Sequence, residues 1–83
     1  MYTVKLIPRA QRDLDKLEGR LFEHVAMAIE SLRKNPKPPG CKKLTVQEGY
    51  RVRTGNYRIV YKIDDKTRVV FIYRVKHRKD IYR

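Results

Sequence analysis

From Tyr50 onward the chain alternates between apolar and polar positions, and the alternation predicts three strands. They are Tyr50-Arg51-Val52-Arg53-Thr54, Tyr57–Ile63 and Thr67–Val75, joined by the turn signals Gly55-Asn56 and Asp64-Asp65-Lys66. Successive side chains on a strand point to opposite faces, so Tyr57, Ile59, Tyr61 and Ile63 share one side and Arg58, Val60 and Lys62 the other. Arg51 and Arg53 likewise share a face. The third strand is apolar on both faces, with Val69, Val70, Phe71, Ile72 and Tyr73, which predicts an interior position.

Upstream, Tyr2–Ile7 alternates and is rich in β-branched residues, the pattern of an opening strand that Pro8 stops. Ile7, Ala10, Leu14 and Leu17 recur at helical spacing and predict a helix from Pro8 to Glu18, with the proline in its first turn. Gly19 interrupts the period. A second helix follows, its stripe made of Leu21, Phe22, Val25, Ala28, Ile29 and Leu32. The prolines of the segment 35–40 forbid helix and form an extended connector, after which Lys42, Lys43 and Leu44 lead toward Gly49. The order is β-α-α-β-β-β in a single α+β domain, residues 1–83. A helical hairpin packs on one face of a small, mainly antiparallel sheet, and the cationic face left uncovered is the working surface.

Charge sharpens that reading. The 83 residues carry a formal +12, of which residues 1–41 supply +3 and residues 42–83 supply +9. Basicity concentrated on the strands and tail, with tyrosines between the cations, points to a polyanion and above all to nucleic acid. The single cysteine, Cys41, excludes an internal disulfide and a cysteine metal site. No signal peptide or membrane-spanning run is expected, and the default compartment is the cytoplasm. His24, among the apolar residues of the second helix, is expected to be peripheral.

The cationic face offers Arg51, Arg53, Arg58 and Arg74, and the tail can bring Lys76, His77, Arg78, Lys79 and Tyr82 to it. Neighbouring strands lie about 4.8 Å apart, so arginines on two strands can hold one phosphate. The only serine, Ser31, lies on the helical hairpin, so a Ser-His-Asp arrangement lacks its nucleophile. Asp64 and Asp65 are adjacent in a turn and Asp80 stands alone, so no set of converging carboxylates for a metal is expected, and no cofactor is called for. RNA needs neither, because its own 2′-hydroxyl can attack the neighbouring phosphate. His77 and Tyr82 are the two candidate proton acceptors, with Arg58 and Arg78 on the phosphate.

Gly49-Tyr50-Arg51-Val52-Arg53, Tyr57-Arg58-Ile59-Val60-Tyr61 and Val75–Tyr82, in this order behind a strand and a helical hairpin, resemble the RelE toxins of the RelE/ParE superfamily. The resemblance covers essentially the whole chain. It implies a toxin of a type II toxin–antitoxin system: an endoribonuclease (mRNA interferase), independent of metal, that cuts mRNA in the ribosomal A site and is silenced by a RelB-like antitoxin. Arg58 then matches the arginine that stabilises the transition state and Tyr82 the tail tyrosine that stacks on or orients the substrate. The basic catalytic residue of the tail fits Lys76, His77 or Arg78. Arg51 and Arg53 stand where the family pattern has lysines, and an arginine cannot give up its proton; both are expected to grip phosphates, with Arg74, Lys76 and Lys79 around them. Two further readings are a ParE-like inhibitor of DNA gyrase and a non-catalytic protein bound to RNA or the ribosome.

Overall fold

The computed structural model describes residues 1–81. Its elements are β1 (Thr3–Leu6), α1 (Pro8–Asp15), α2 (Gly19–Ser31), β2 (Lys42–Lys43), β3 (Tyr50–Thr54), β4 (Tyr57–Asp64), β5 (Val69–His77) and a last turn of helix, α3 (Arg78–Ile81). They form one sheet in the order β1-β5-β4-β3-β2. β1 runs parallel to β5 and every other pair is antiparallel. The β-α-α-β-β-β order holds, with the two-residue β2 added at one edge.

The apolar periods explain why the layers meet. Ala10 and Leu14 of α1, Val25 and Ile29 of α2 and Leu32 just after it are buried against Ile59 and Tyr61 of β4 and Val70, Ile72 and Val75 of β5. Each large apolar side chain removed from water in this way is worth about 1.5–3 kcal/mol. β5 is interior, flanked by β1 and β4, as its two apolar faces require.

Two departures from the sequence pattern matter for the site. α1 ends at Asp15 rather than Glu18, the Leu17 N–H bonding back to the Leu14 carbonyl in a tightened final turn. β5 runs Val69–His77 rather than Thr67–Val75, because Arg68 adopts a left-handed φ of 56° in the turn before it. The strand therefore takes in Lys76 and His77. It also holds a bulge: Val60 faces Arg74 and Tyr61 faces Ile72, so Tyr73 has no opposite number. One extra residue reverses the alternation, and Val75 is buried in the core beside Val70 and Ile72 despite its odd spacing from them.

β1 ends at Leu6, opposite Ile72, and α1 takes over the edge of β5 beyond it. Asp13 accepts the Val75 N–H at 2.9 Å and both arms of Arg74, Nε at 2.8 Å and Nη2 at 3.2 Å. Burial works against the charged carboxyl, but the bonds from Arg74 and the Val75 N–H, with the Arg74 charge, outweigh it and hold Asp13 below the ordinary carboxylate value. A depressed folded-state value means stability that is present above about pH 4, where an unfolded aspartate ionises, and lost as pH falls through the folded value. Asp13→Asn is expected to cost about 1–2 kcal/mol near neutral pH. In urea denaturation the gap from wild type should narrow as the pH drops below about 4; a gap independent of pH would mean that the carboxylate charge is not what ties α1 to β5.

Candidate functional site

Residues directly opposite on antiparallel strands point to the same face. On the side away from the helices, the register lines up Lys42, Arg51, Val60 and Arg74 in one row and Arg53, Arg58 and Lys76 in the next. Between them lies a concavity of about 310 Å³ lined by Lys42, Arg51, Arg53 and Arg58, with Val52 and the connector residues Pro39 and Gly40. Arg58 is only 8 % exposed, the one charged side chain among the described residues that is buried. Arg53 and Arg58 face each other across the ladder, and like charges so placed destabilise a sheet. Four cations around one hollow make it attractive to an anion, and two oxygens of a phosphate can accept the two parallel bonds of a guanidinium fork.

The walls of this hollow are held in place. Tyr61, fully buried, donates its hydroxyl hydrogen to the Pro36 carbonyl at 2.7 Å, while the Lys37 ammonium sits 5.3 Å from the centre of the Tyr50 ring. Burial first, and then the neighbouring Cys41, push the Tyr61 hydroxyl up, so it remains a donor at any physiological pH. The connector is thereby pinned beside β2, which pairs with β3 through Lys42 opposite Arg51. At the start of β3, Gly49 has a φ of +130° and backs onto the Tyr61 carbonyl, while its own carbonyl accepts the Leu44 N–H.

The residues expected to form a site divide. Arg51, Arg53 and Arg58 are brought together, and Lys76 stands beside Arg58 in the same row. Arg74 stands opposite Val60 at the end of the Lys42–Arg51 row, but its guanidinium bonds Asp13 of α1 and it does not line the hollow. His77 also departs from expectation. As the strand residue after Lys76 it falls on the opposite, helix-covered face, where its ring meets Tyr57 edge-on with centroids 5.2 Å apart. With Leu21, His24 and Val25 it lines a separate cavity under α2. Its Nδ1 accepts the Lys79 N–H at 3.2 Å and so caps the start of α3, a structural task that leaves it away from the arginines. The Arg78 N–H donates to the Asn56 carbonyl at 2.7 Å, tying the tail to the β3–β4 turn. Lys79 is exposed, and His24 is exposed as expected. Tyr82 lies outside the described residues.

Lys42, Pro39 and Gly40 were not legible as site residues. Two residues are too few to show an alternation, and a lysine pair upstream of an Arg-x-Arg strand was the only trace of β2.

The chain matches the family described as ParE toxin of type II toxin–antitoxin system, parDE, over residues 4–82. It is a toxin of the RelE/ParE superfamily. The toxin is 40 % identical over 84 residues to Toxin RelG of Mycobacterium tuberculosis, with 99 % of this chain and 97 % of the relative covered. Among solved structures it is similar to a chain of the toxin–antitoxin complex RelBE2 from Mycobacterium tuberculosis, with a TM-score of 0.81 and 37 % identity over 92 % of this chain and 96 % of that one. It is also similar to a chain of the archaeal RelE–RelB complex from Pyrococcus horikoshii, with a TM-score of 0.82 and 26 % identity, covering 93 % and 94 %. The isolated RelE toxin of Escherichia coli shares the fold, with a TM-score of 0.80. The β-α-α-β-β-β architecture read from the strand and helix pattern, with the RelE-like fold that the resemblance implied, is thus the one this toxin has.

Proposed function

We propose that this toxin is an endoribonuclease that cuts mRNA in the ribosomal A site by attack of the 2′-hydroxyl on the adjacent phosphate, and that an antitoxin of the RelB kind silences it. The observation that carries the reading is the hollow ringed by Lys42, Arg51, Arg53 and Arg58 on the face that the helices leave open. As the 2′-oxygen adds to phosphorus, a second negative charge develops on the phosphoryl oxygens, and fixed cations favour that state over the ground state. Arg58 is the least hydrated of the four and interacts most strongly with the developing charge. Arg51 and Arg53 hold flanking phosphates, while Lys76, Lys79 and Arg78 extend the cationic track toward the tail. Tyr82 orients the substrate, a role taken from the family resemblance. The guanidinium groups supply the charge neutralisation of this reaction. The ribosome supplies the alignment of the strand, which an open hollow on a small protein does not.

Mapping mRNA 5′ ends on translating ribosomes with and without the toxin tests this. New ends within codons at the A site are expected. Trapped, cleaved plasmid in the presence of gyrase, with mRNA intact, would place the toxin with the gyrase inhibitors instead. Ribosome binding that leaves both nucleic acids whole would make it a non-catalytic binder.

A further inference from the structure

RNA presents a phosphate and a base at every nucleotide, and the hollow ringed by arginines answers only the first. A second hollow, of about 320 Å³, is lined in part by Lys62, Phe71 and Tyr73. Phe71 is opposite Lys62 on β4 and stands between the buried Val70 and Ile72, so its ring is on the side away from the helices. Lys62 follows Arg58 and Val60 on that same side, four residues and about 13 Å along β4 from Arg58. Tyr73 is the bulged residue, without an opposite number on β4, and bulges re-aim side chains beside functional sites. Both rings are half-buried.

The charges around the two hollows differ in kind. Four cations and, among the described residues, no carboxylate line the first, whereas in the second Lys62 and Lys66 stand with Glu48, Asp64 and Asp65. Lys62 is already paired with Glu48, at 3.1 Å. The described lining of the second hollow thus has no surplus positive charge for a phosphate, and what it adds is aromatic surface. Every base has a π-face that stacks on such rings, whatever its identity. We propose that Phe71 and Tyr73 form a stacking platform for one unpaired base of the RNA strand whose phosphates the arginines hold, a site that rests on RNA being the substrate. The two hollows share a face and a strand, so one extended RNA segment reaches both, its backbone over Arg51, Arg53 and Arg58 and a nearby base over the rings.

The test uses RNA that cannot be cut. A short single strand of 2′-O-methyl ribose carries 2-aminopurine at one position at a time, and stacking of that base quenches its fluorescence. With wild-type toxin, quenching is expected at one position along the strand. Phe71→Leu combined with Tyr73→Leu keeps apolar bulk and removes both rings; it is expected to abolish the quenching and to weaken binding by about 5- to 150-fold. Tyr73→Phe keeps the ring and is expected to retain both. Circular dichroism establishes that the double variant is folded, and each single leucine variant, with one ring left, is expected to lose part of the quenching. Full quenching and full affinity in the leucine variants would overturn the platform, as would a wild-type protein that quenches no position. Loss of antitoxin binding with RNA binding unchanged would assign the rings to the antitoxin interface and overturn it as well. Because this RNA stays whole, a wild type that leaves ribosomal mRNA uncut removes the ribonuclease reading without altering the quenching result.

Discussion

Arg58→Ala is expected to lower the cleavage of ribosome-bound mRNA by about 10²- to 10³-fold, the usual cost of losing one preorganised group that stabilises developing charge. The magnitude follows from where the guanidinium sits. Arg58 is in the middle strand of the sheet, 8 % exposed, opposite Arg53 on one side and Lys76 on the other. A cation shielded from water is not screened as Lys79 is, and its interaction with phosphoryl oxygens is correspondingly stronger. Arg58→Lys keeps the charge but loses the planar fork, so its rate should fall between the two. Antitoxin binding reports whether Arg58→Ala is folded. Unaltered cleavage by a folded Arg58→Ala would remove Arg58 from the mechanism and leave the hollow as a binding surface only.

Gly49→Ala is expected to be the most damaging single-methyl addition in the chain. A Cβ at this position would lie 2.8 Å from the Tyr61 carbonyl oxygen and 3.3 Å from Leu44 Cδ1, and the φ of +130° is one that residues with side chains rarely adopt. Backbone strain of about 1–3 kcal/mol adds to the cost of displacing a main-chain carbonyl, also about 1–3 kcal/mol. For a domain of this size the sum, about 2–6 kcal/mol, lowers the melting temperature by roughly 10–50 °C. Gly40→Ala is the control: its φ is +89°, with nothing within 4 Å of the added carbon, so it carries strain without the collision. Because Gly49 immediately precedes the strand that bears Arg51 and Arg53, cleavage should suffer beyond the loss of stability. Calorimetry showing equal melting of the two variants would mean that the approach of β3 to Tyr61 is looser than the structure has it.

Much of this could be read from residues alone because the determining interactions are local. β3 and most of β4 were visible as alternations bounded by Gly55-Asn56 and Asp64-Asp65-Lys66, and both helices as apolar stripes. The grouping of Arg51, Arg53 and Arg58 followed from strand periodicity and short turns, which fix a register without help from the rest of the chain. The end of β5 was not legible in the same way. Its apolar residues cover both faces and so show no period, and neither the left-handed turn at Arg68 nor the bulge at Tyr73 has a composition of its own. The consequence fell on the site, since a strand extended to His77 sends that histidine to the side opposite Lys76 and Arg58.

The order of residues is enough to specify a sheet with one apolar and one cationic face, a helical pair to cover the first, and an excess of positive charge on the second. Those properties depend on side chains a few positions apart. Which cations meet depends on packing: Asp13 bonds Arg74 across the α1–β5 boundary, Tyr57 and the start of α3 hold His77, and β2 brings Lys42 opposite Arg51. The physical reason is range. Periodicity assigns a side chain to a face, whereas the partner that waits there comes from a distant part of the chain and is chosen by packing.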